Sequence, residues 1–332
     1  MTSDTTGTRP IRVLSIDGGG IRGIIPARIL NELEQRTGKP VSALFDIMAG
    51  SSTGGILVLG LTKPTGNTRQ PAHSAAGMME FYRQLGPVIF STSLRRRLTS
   101  LNGLIRSRYP DRTVENALAD FFGDARLKDA ITSVFIPSYE IERHTPFFFR
   151  STMAQKRPDY DFPMHVVARS TSAAPTYFPP ERIPIPGTSD YHALIDGGVF
   201  ANNPAACAYV ETRVNYSNAA DITLVSLGAG KSNPPVSLTK AEDWGVAQWA
   251  RPILDTVLDG VSSTVEYQLR SLLPARPDGT DRYFRLQTTL NERNSSLDNA
   301  TRENLEALRT QADRLVEERS YEIDRICEAL LP

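Results

Sequence analysis

Ser52 stands at the centre of GSSTG (Gly50–Gly54), a match to G-x-S-x-G in which glycines permit the sharp turn that lifts a serine hydroxyl clear of its own backbone. A serine at its ordinary pKa is a weak nucleophile, so the pattern gains meaning only with a base that takes its proton. The chain holds four histidines, His73, His144, His165 and His192, and none follows Asp196. A Ser, acid, His order would therefore end at His165 or His192, neither of which sits in a glycine-rich turn. His165 alternates with apolar neighbours in FPMHVVA and reads as a strand residue; His73 and His144 lie among polar or charged neighbours. Asp196 is the better candidate base. It closes YHALID and is followed at once by Gly197 and Gly198, so its carboxylate can be held close to a serine and desolvated, which raises its basicity. An Asp-Gly turn that merely ends a strand is the competing explanation.

A second glycine cluster, VLSIDGGGIRG (Val13–Gly23), supports two chemistries. Gly18, Gly20 and Gly23 satisfy G-x-G-x-x-G after a strand, which suits a dinucleotide pyrophosphate. That reading also asks for an acid about 20 residues on, at the end of the next strand, whereas Asp46 opens that strand and GSSTGG ends it. Alternatively, the amides of Gly18, Gly19 and Gly20 hold the oxyanion of an acyl-transfer intermediate, each such donor contributing about 3 to 4 kcal/mol. Dinucleotide binding accounts for one motif and acyl transfer for three.

These residues need a scaffold of strand, turn and helix units. IRVLSI (Ile11–Ile16) is β-branched, and in the helix that follows Ile25, Ile29, Leu30 and Leu33 recur at helical spacing before the stop signal of Gly38 and Pro40. LFDIMAG, SSTGG and GILVLGLT repeat the unit as strand, turn and buried helix. Further strands are expected at Ile131–Ile141, Phe162–Ala168, Tyr191–Asp196, Asp221–Gly228 and Arg282–Gln287, with proline-rich loops at Pro179–Asp190 and Lys231–Lys240. Interspersed helices imply an α/β fold with a mostly parallel sheet covered on both faces. The C-terminal stretch reads as an amphipathic helix pair or one long helix, with Leu305, Leu308, Ala312, Leu315 and Val316 inward. No internal repeat or long linker appears, so residues 11–332 are expected to form one domain, with signature motifs within 13–230, a helical region over 240–332, and a disordered tail at 1–10.

Taken in order, DGGGIRG, GSSTGG and DGG resemble the patatin-like phospholipase family of serine acyl hydrolases. VLSIDGGGIRGIIPARIL, FDIMAGSSTGGIL, ARSTSAAPTYFPP, LIDGGVFANNPA and LVSLGAG all look like family blocks. The resemblance implies a three-layer α/β/α sandwich and a catalytic dyad without histidine. By motif it assigns Ser52 as nucleophile, Asp196 as proton acceptor, and Gly18, Gly19 and Gly20 as oxyanion hole, with no metal or organic cofactor. Arg22 travels with the glycine motif, either orienting the loop or meeting a lipid phosphate, unless it is simply a solvated surface arginine. Two rivals stay open: a nucleotide-binding oxidoreductase using the glycine loop, and a non-catalytic lipid-binding protein on the same fold.

Composition limits the partners. The 332 residues carry 37 basic and 37 acidic side chains, which gives no overall field for nucleic acid or an anionic bilayer. Two cysteines, Cys207 and Cys327, lack metal or disulfide spacing. The polar leader resembles neither a secretory signal nor an anchor, and no apolar run approaches the ~20 residues of a spanning helix. The expected location is cytoplasmic, with peripheral membrane contact through Arg95, Arg96 and Arg97 as one reading of a segment rich in arginine and leucine and free of acids between Phe81 and Pro110. A surface helix, a nucleotide-sensing patch and an oligomer contact are the others. The lipid substrate is the only partner the sequence names.

Overall fold

Residue alternation along Ile11–Ile16 (β1) shows how the molecule is layered. In the computed structural model, which describes residues 10–90, 109, 111–217, 219, 221–232, 237–249 and 252–331, Leu14 and Ile16 point into one apolar core while Ile11 and Val13 point into another. Successive strand side chains face opposite sides of a sheet, so a strand apolar on both faces must lie between two helical layers. The remaining strands of this sheet are β2 (Ile47–Gly50), β3 (Ser133–Glu140), β4 (Thr145–Arg150), β5 (Glu181–Pro184), β6 (Tyr191–Asp196), β7 (Ile222–Leu227) and β8 (Tyr283–Leu286), and a separate two-stranded parallel sheet pairs Lys231–Ser232 with Thr289–Leu290. Their order is β5-β6-β3-β2-β1-β7-β8, with β4 beside β3. Strands β3, β2, β1, β7 and β8 run parallel; β4, β5 and β6 are antiparallel to their neighbours. The chain thus forms the expected three-layer α/β/α sandwich around a mostly parallel sheet.

On the larger core side, the Ile24–Thr37 helix buries Ile25, Ile29, Leu30 and Leu33 and ends at Gly38, whose φ of 66° suits the left-handed cap. Two C-terminal helices, Arg302–Glu318 and Ser320–Leu330, pack on the same side, the first capped by the Thr301 hydroxyl, which accepts from Asn304 N. The opposite face is covered by the helices Ala205–Asn215 and Pro252–Leu272.

One expected strand is a helix. Pro163 precedes Met164–Thr171, in which Met164, Val167, Ala168 and Thr171 are all buried. That spacing of three and four is helical, and it outweighs the β-branched pair Val166–Val167 that favoured a strand. His165 is accordingly a helix residue. The phenylalanine-rich strand β4 was not expected, and a short β5 crosses the presumed loop at Pro179–Asp190. Arg95, Arg96 and Arg97, and residues 1–9 of the expected tail, lie outside the described residues. Among the described residues no helix is long and apolar enough to cross a membrane.

Candidate active site

Parallel strands β1 and β2 end side by side, Ile16 paired with Gly50, and the turns that follow them carry both glycine motifs to one sheet edge, the usual place for ligands in α/β proteins. Ser52 sits between β2 and the Thr53–Thr62 helix at φ 53° and ψ −122°, a backbone region costly for a residue with a Cβ. The flanking glycines are required by close approach. A Cβ on Gly50 would collide with the Gly54 carbonyl, and one on Gly54 with the Ile16 carbonyl. Thr171 completes the turn: its Oγ1 accepts from Ser52 N at 3.0 Å and donates to Pro137 O at 2.7 Å.

Asp196 arrives from the antiparallel edge, at the end of β6. Ser52 Oγ donates to Asp196 Oδ2 at 2.6 Å, while Asp196 Oδ1 accepts from Gly198 N at 2.7 Å. Asp196 is only 4% exposed. Burial pushes its pKa up to about 7, against the smaller opposing effects of the Ser52 and Gly198 hydrogen bonds. Such a carboxylate can take a hydroxyl proton near neutral pH. The four histidines lie elsewhere: His73 stacks on Phe121 and His192 packs on Phe147, His144 lies between β3 and β4, and none lines the cavity that holds Ser52 and Asp196.

The glycine loop closes the third side. Gly18 N–H donates to Asn202 O at 2.9 Å, Ile21 N–H to Leu297 O at 2.9 Å and Arg22 N–H to Gly19 O at 3.1 Å. Gly19 and Gly20 line the cavity beside Ser52, and among the described residues no hydrogen bond engages their amides. Arg22 is buried, with Nε donating to Gly19 O and Nη1 to Ser295 O, both at 3.2 Å. It does not line the Ser52 cavity; it supports the loop from behind. Asp46, the acid that a dinucleotide reading would need, lies at the opposite end of β2, where its carboxylate accepts from Arg12 N at 2.8 Å.

The cavity encloses about 930 Å³ with the open solvent at its mouth included. Its wall is apolar, with Ile56, Phe81, Ile89, Phe90, Leu118 and Phe178 among the lining side chains. Residues 14–209, a span that holds Ser52, Asp196 and the glycine loop, match the family described as Patatin-like phospholipase. The chain belongs to the patatin-like phospholipase family. Patatin-like protein 2 of Arabidopsis thaliana is 32% identical over an alignment that covers 92% of this chain and 83% of that protein. A potato (Solanum tuberosum) relative named "Probable inactive patatin-3-Kuras 1" is 32% identical, covering 86% of this chain and 81% of its own. Among solved structures, VipD from Legionella pneumophila aligns with a TM-score of 0.39 and 12% identity, over 93% of this chain and 67% of that one. Patatin-like phospholipases are lipid acyl hydrolases as a class.

Several patatin-like site contacts had no signal in the motifs. Thr171 lies within ARSTSAAPTYFPP, where no local pattern marks it as a support of the Ser52 turn. Tyr82, whose hydroxyl lies 2.5 Å from Thr53 Oγ1, comes from a helix that carries no signature, and Leu258 and Leu297 reach the cavity from the C-terminal third.

Proposed function

We propose that the protein is a serine acyl hydrolase that cleaves fatty-acyl esters of glycerophospholipids or galactolipids with a Ser52/Asp196 dyad. One observation carries the reading: a serine hydroxyl bonded at 2.6 Å to a buried carboxylate, in a cavity whose walls suit an acyl chain. Asp196 accepts the Ser52 proton as Oγ attacks the ester carbonyl. The tetrahedral oxyanion is held by the amides of Gly19 and Gly20, the Gly18 amide being engaged by Asn202. Collapse expels the lyso-lipid alkoxide, which takes the proton from Asp196 and leaves an acyl-Ser52 ester. Water then attacks that ester, Asp196 serving again as base, and free fatty acid departs. This route needs neither metal nor organic cofactor.

The test is fatty-acid release from phosphatidylcholine and galactolipid vesicles, combined with fluorophosphonate labelling and mass spectrometry. Release and an adduct on Ser52 are expected; absence of release, or an adduct on another residue alone, overturns the proposal. A pH dependence follows as well. The base is competent only when ionised, and burial holds its pKa at about 7, so kcat/KM on a neutral ester should fall tenfold per unit as pH drops below that value and level off above it. A profile flat from pH 5 to 9 would rule out Asp196 as the base.

A further inference from the structure

Asp17, the residue immediately before the glycine loop, is held by a side chain two strands away. Arg285 on β8 donates from Nη1 to Asp17 Oδ1 at 2.8 Å and from Nη2 to Asp17 Oδ2 at 2.6 Å. Sheet registry explains how it reaches. Arg285 pairs with Ser226 on β7, and Ser226 pairs with Ser15 on β1. Neighbouring strands lie about 4.8 Å apart, so an extended arginine crosses the β7 position and arrives over the end of β1. Ser226, small and polar, lets it pass and accepts from Nη1 at 2.9 Å. Both ends are sealed, the side chains of Arg285 and Asp17 being 1% and 2% exposed.

We propose that Arg285 is a positioning residue for the oxyanion loop, acting through a two-point clamp on Asp17. The backbone of Asp17 is fixed by its N–H to Leu227 O, and its side chain by the planar guanidinium, so the chain enters Gly18–Gly20 with one orientation. A planar fork bound at both carboxylate oxygens sets an angle as well as a distance, and an oxyanion donor depends on its angle. The same C-terminal region braces the loop twice more, through Leu297 O on Ile21 N and Ser295 O on Arg22. All three contacts come from beyond residue 209, where the family match ends. The C-terminal third is thereby part of the machinery that shapes the site.

This inference rests on the acyl-hydrolase reading, and its test keeps the two apart. Three proteins are compared: wild type, Arg285→Lys, and the double variant Asp17→Leu with Arg285→Met. Replacing both members of a buried ion pair by apolar side chains commonly leaves a fold intact, whereas removing one strands a charge. Each is assayed on a soluble short-chain ester, with active sites counted by fluorophosphonate titration, and for affinity toward a trifluoromethyl ketone, whose adduct with a serine carries an oxyanion. Positioning predicts that the double variant loses about 100-fold in kcat per titrated site and as much in ketone affinity, with KM changed less than about threefold. Arg285→Lys, which keeps the charge and loses the fork, should fall between it and wild type. A merely structural pair would lower the melting temperature or the titrated fraction and leave kcat per site untouched. Wild-type kcat per site in either variant overturns the assignment, as does failure of both to fold. Absence of ester turnover in the wild type instead sinks the acyl-hydrolase reading.

Discussion

Asp196→Asn is expected to lower kcat by roughly 10³- to 10⁴-fold and, at the same time, to stabilise the protein above neutral pH. The asparagine oxygen can still accept from Gly198 N–H while its NH2 donates to Ser52 Oγ, so the turn keeps its shape, but an amide cannot take a proton from the attacking hydroxyl. The stability gain follows from linkage. In the fold the carboxyl titrates at about 7, against 3.8 for an unburied aspartate, so between those values the native state binds a proton that the unfolded chain does not. The native state is therefore penalised progressively as pH rises through that window. By pH 8 the full difference, about 4 kcal/mol as an upper bound at 1.36 kcal/mol per unit, weighs against the native wild type and is absent from the variant. Thermal melts at pH 4 and pH 8 read this directly: the advantage of Asp196→Asn should be large at pH 8 and small at pH 4. An advantage of the same size at both values would show that the effect has nothing to do with ionisation.

Such a conflict between stability and activity at the proposed base leaves a local mark in the sequence. A strand that ends in an aspartate and two glycines gives up packing for close backbone approach, and local patterns record such concessions. The Gly50 and Gly54 contacts with the Gly54 and Ile16 carbonyls are of the same kind, legible because only one residue type satisfies them. Helical burial was legible through spacing in Ile24–Thr37, where one face decides. It misled at Met164–Thr171, because seven residues with two adjacent valines satisfy a strand pattern nearly as well as a helix and only tertiary burial chooses. Contacts between distant segments left no pattern. Nothing local to Arg285 says that it reaches Asp17, nor that Asn202 O takes the Gly18 amide, since such pairings are properties of sheet order. The contact between Ser52 and Asp196 joins two motifs whose meeting no local pattern encodes.

Sheet order also explains the division of labour at the site. The parallel centre supplies the Ser52 turn and the glycine loop from adjacent strand ends, so their spacing is tied to ladder hydrogen bonds. Asp196, the proposed base, enters from the antiparallel side of the sheet, where Ser138 pairs with Asp196 and Ser138 Oγ donates to Ile195 O at 2.6 Å. Three strands, each held by its neighbours, thus fix Ser52, Asp196 and the glycine loop without any of them lying on a long loop. That arrangement suits a mechanism in which most of the rate comes from groups already in place.

Ser52→Ala and Ser52→Gly should both remove turnover, by roughly 10⁴-fold or more, and both should abolish fluorophosphonate labelling, yet they should differ in stability. The serine hydroxyl is the sole nucleophile of the proposed mechanism, so its loss leaves only binding and the oxyanion donors. Residual activity above 1% in either variant would place the nucleophile elsewhere. Between the two variants the only further change is a Cβ. At φ 53° and ψ −122° a Cβ is strained by about 1 to 3 kcal/mol, whereas glycine enters that region freely and loses up to about 1 kcal/mol through the greater freedom of its unfolded chain. The balance favours glycine by about 1 kcal/mol, so Ser52→Gly should unfold at higher urea concentration than Ser52→Ala. Equal midpoints, or alanine the more stable, would mean that the turn imposes no strain. Because neither variant has the hydroxyl, the comparison isolates what the backbone of the nucleophile turn costs the fold from what the side chain does in catalysis.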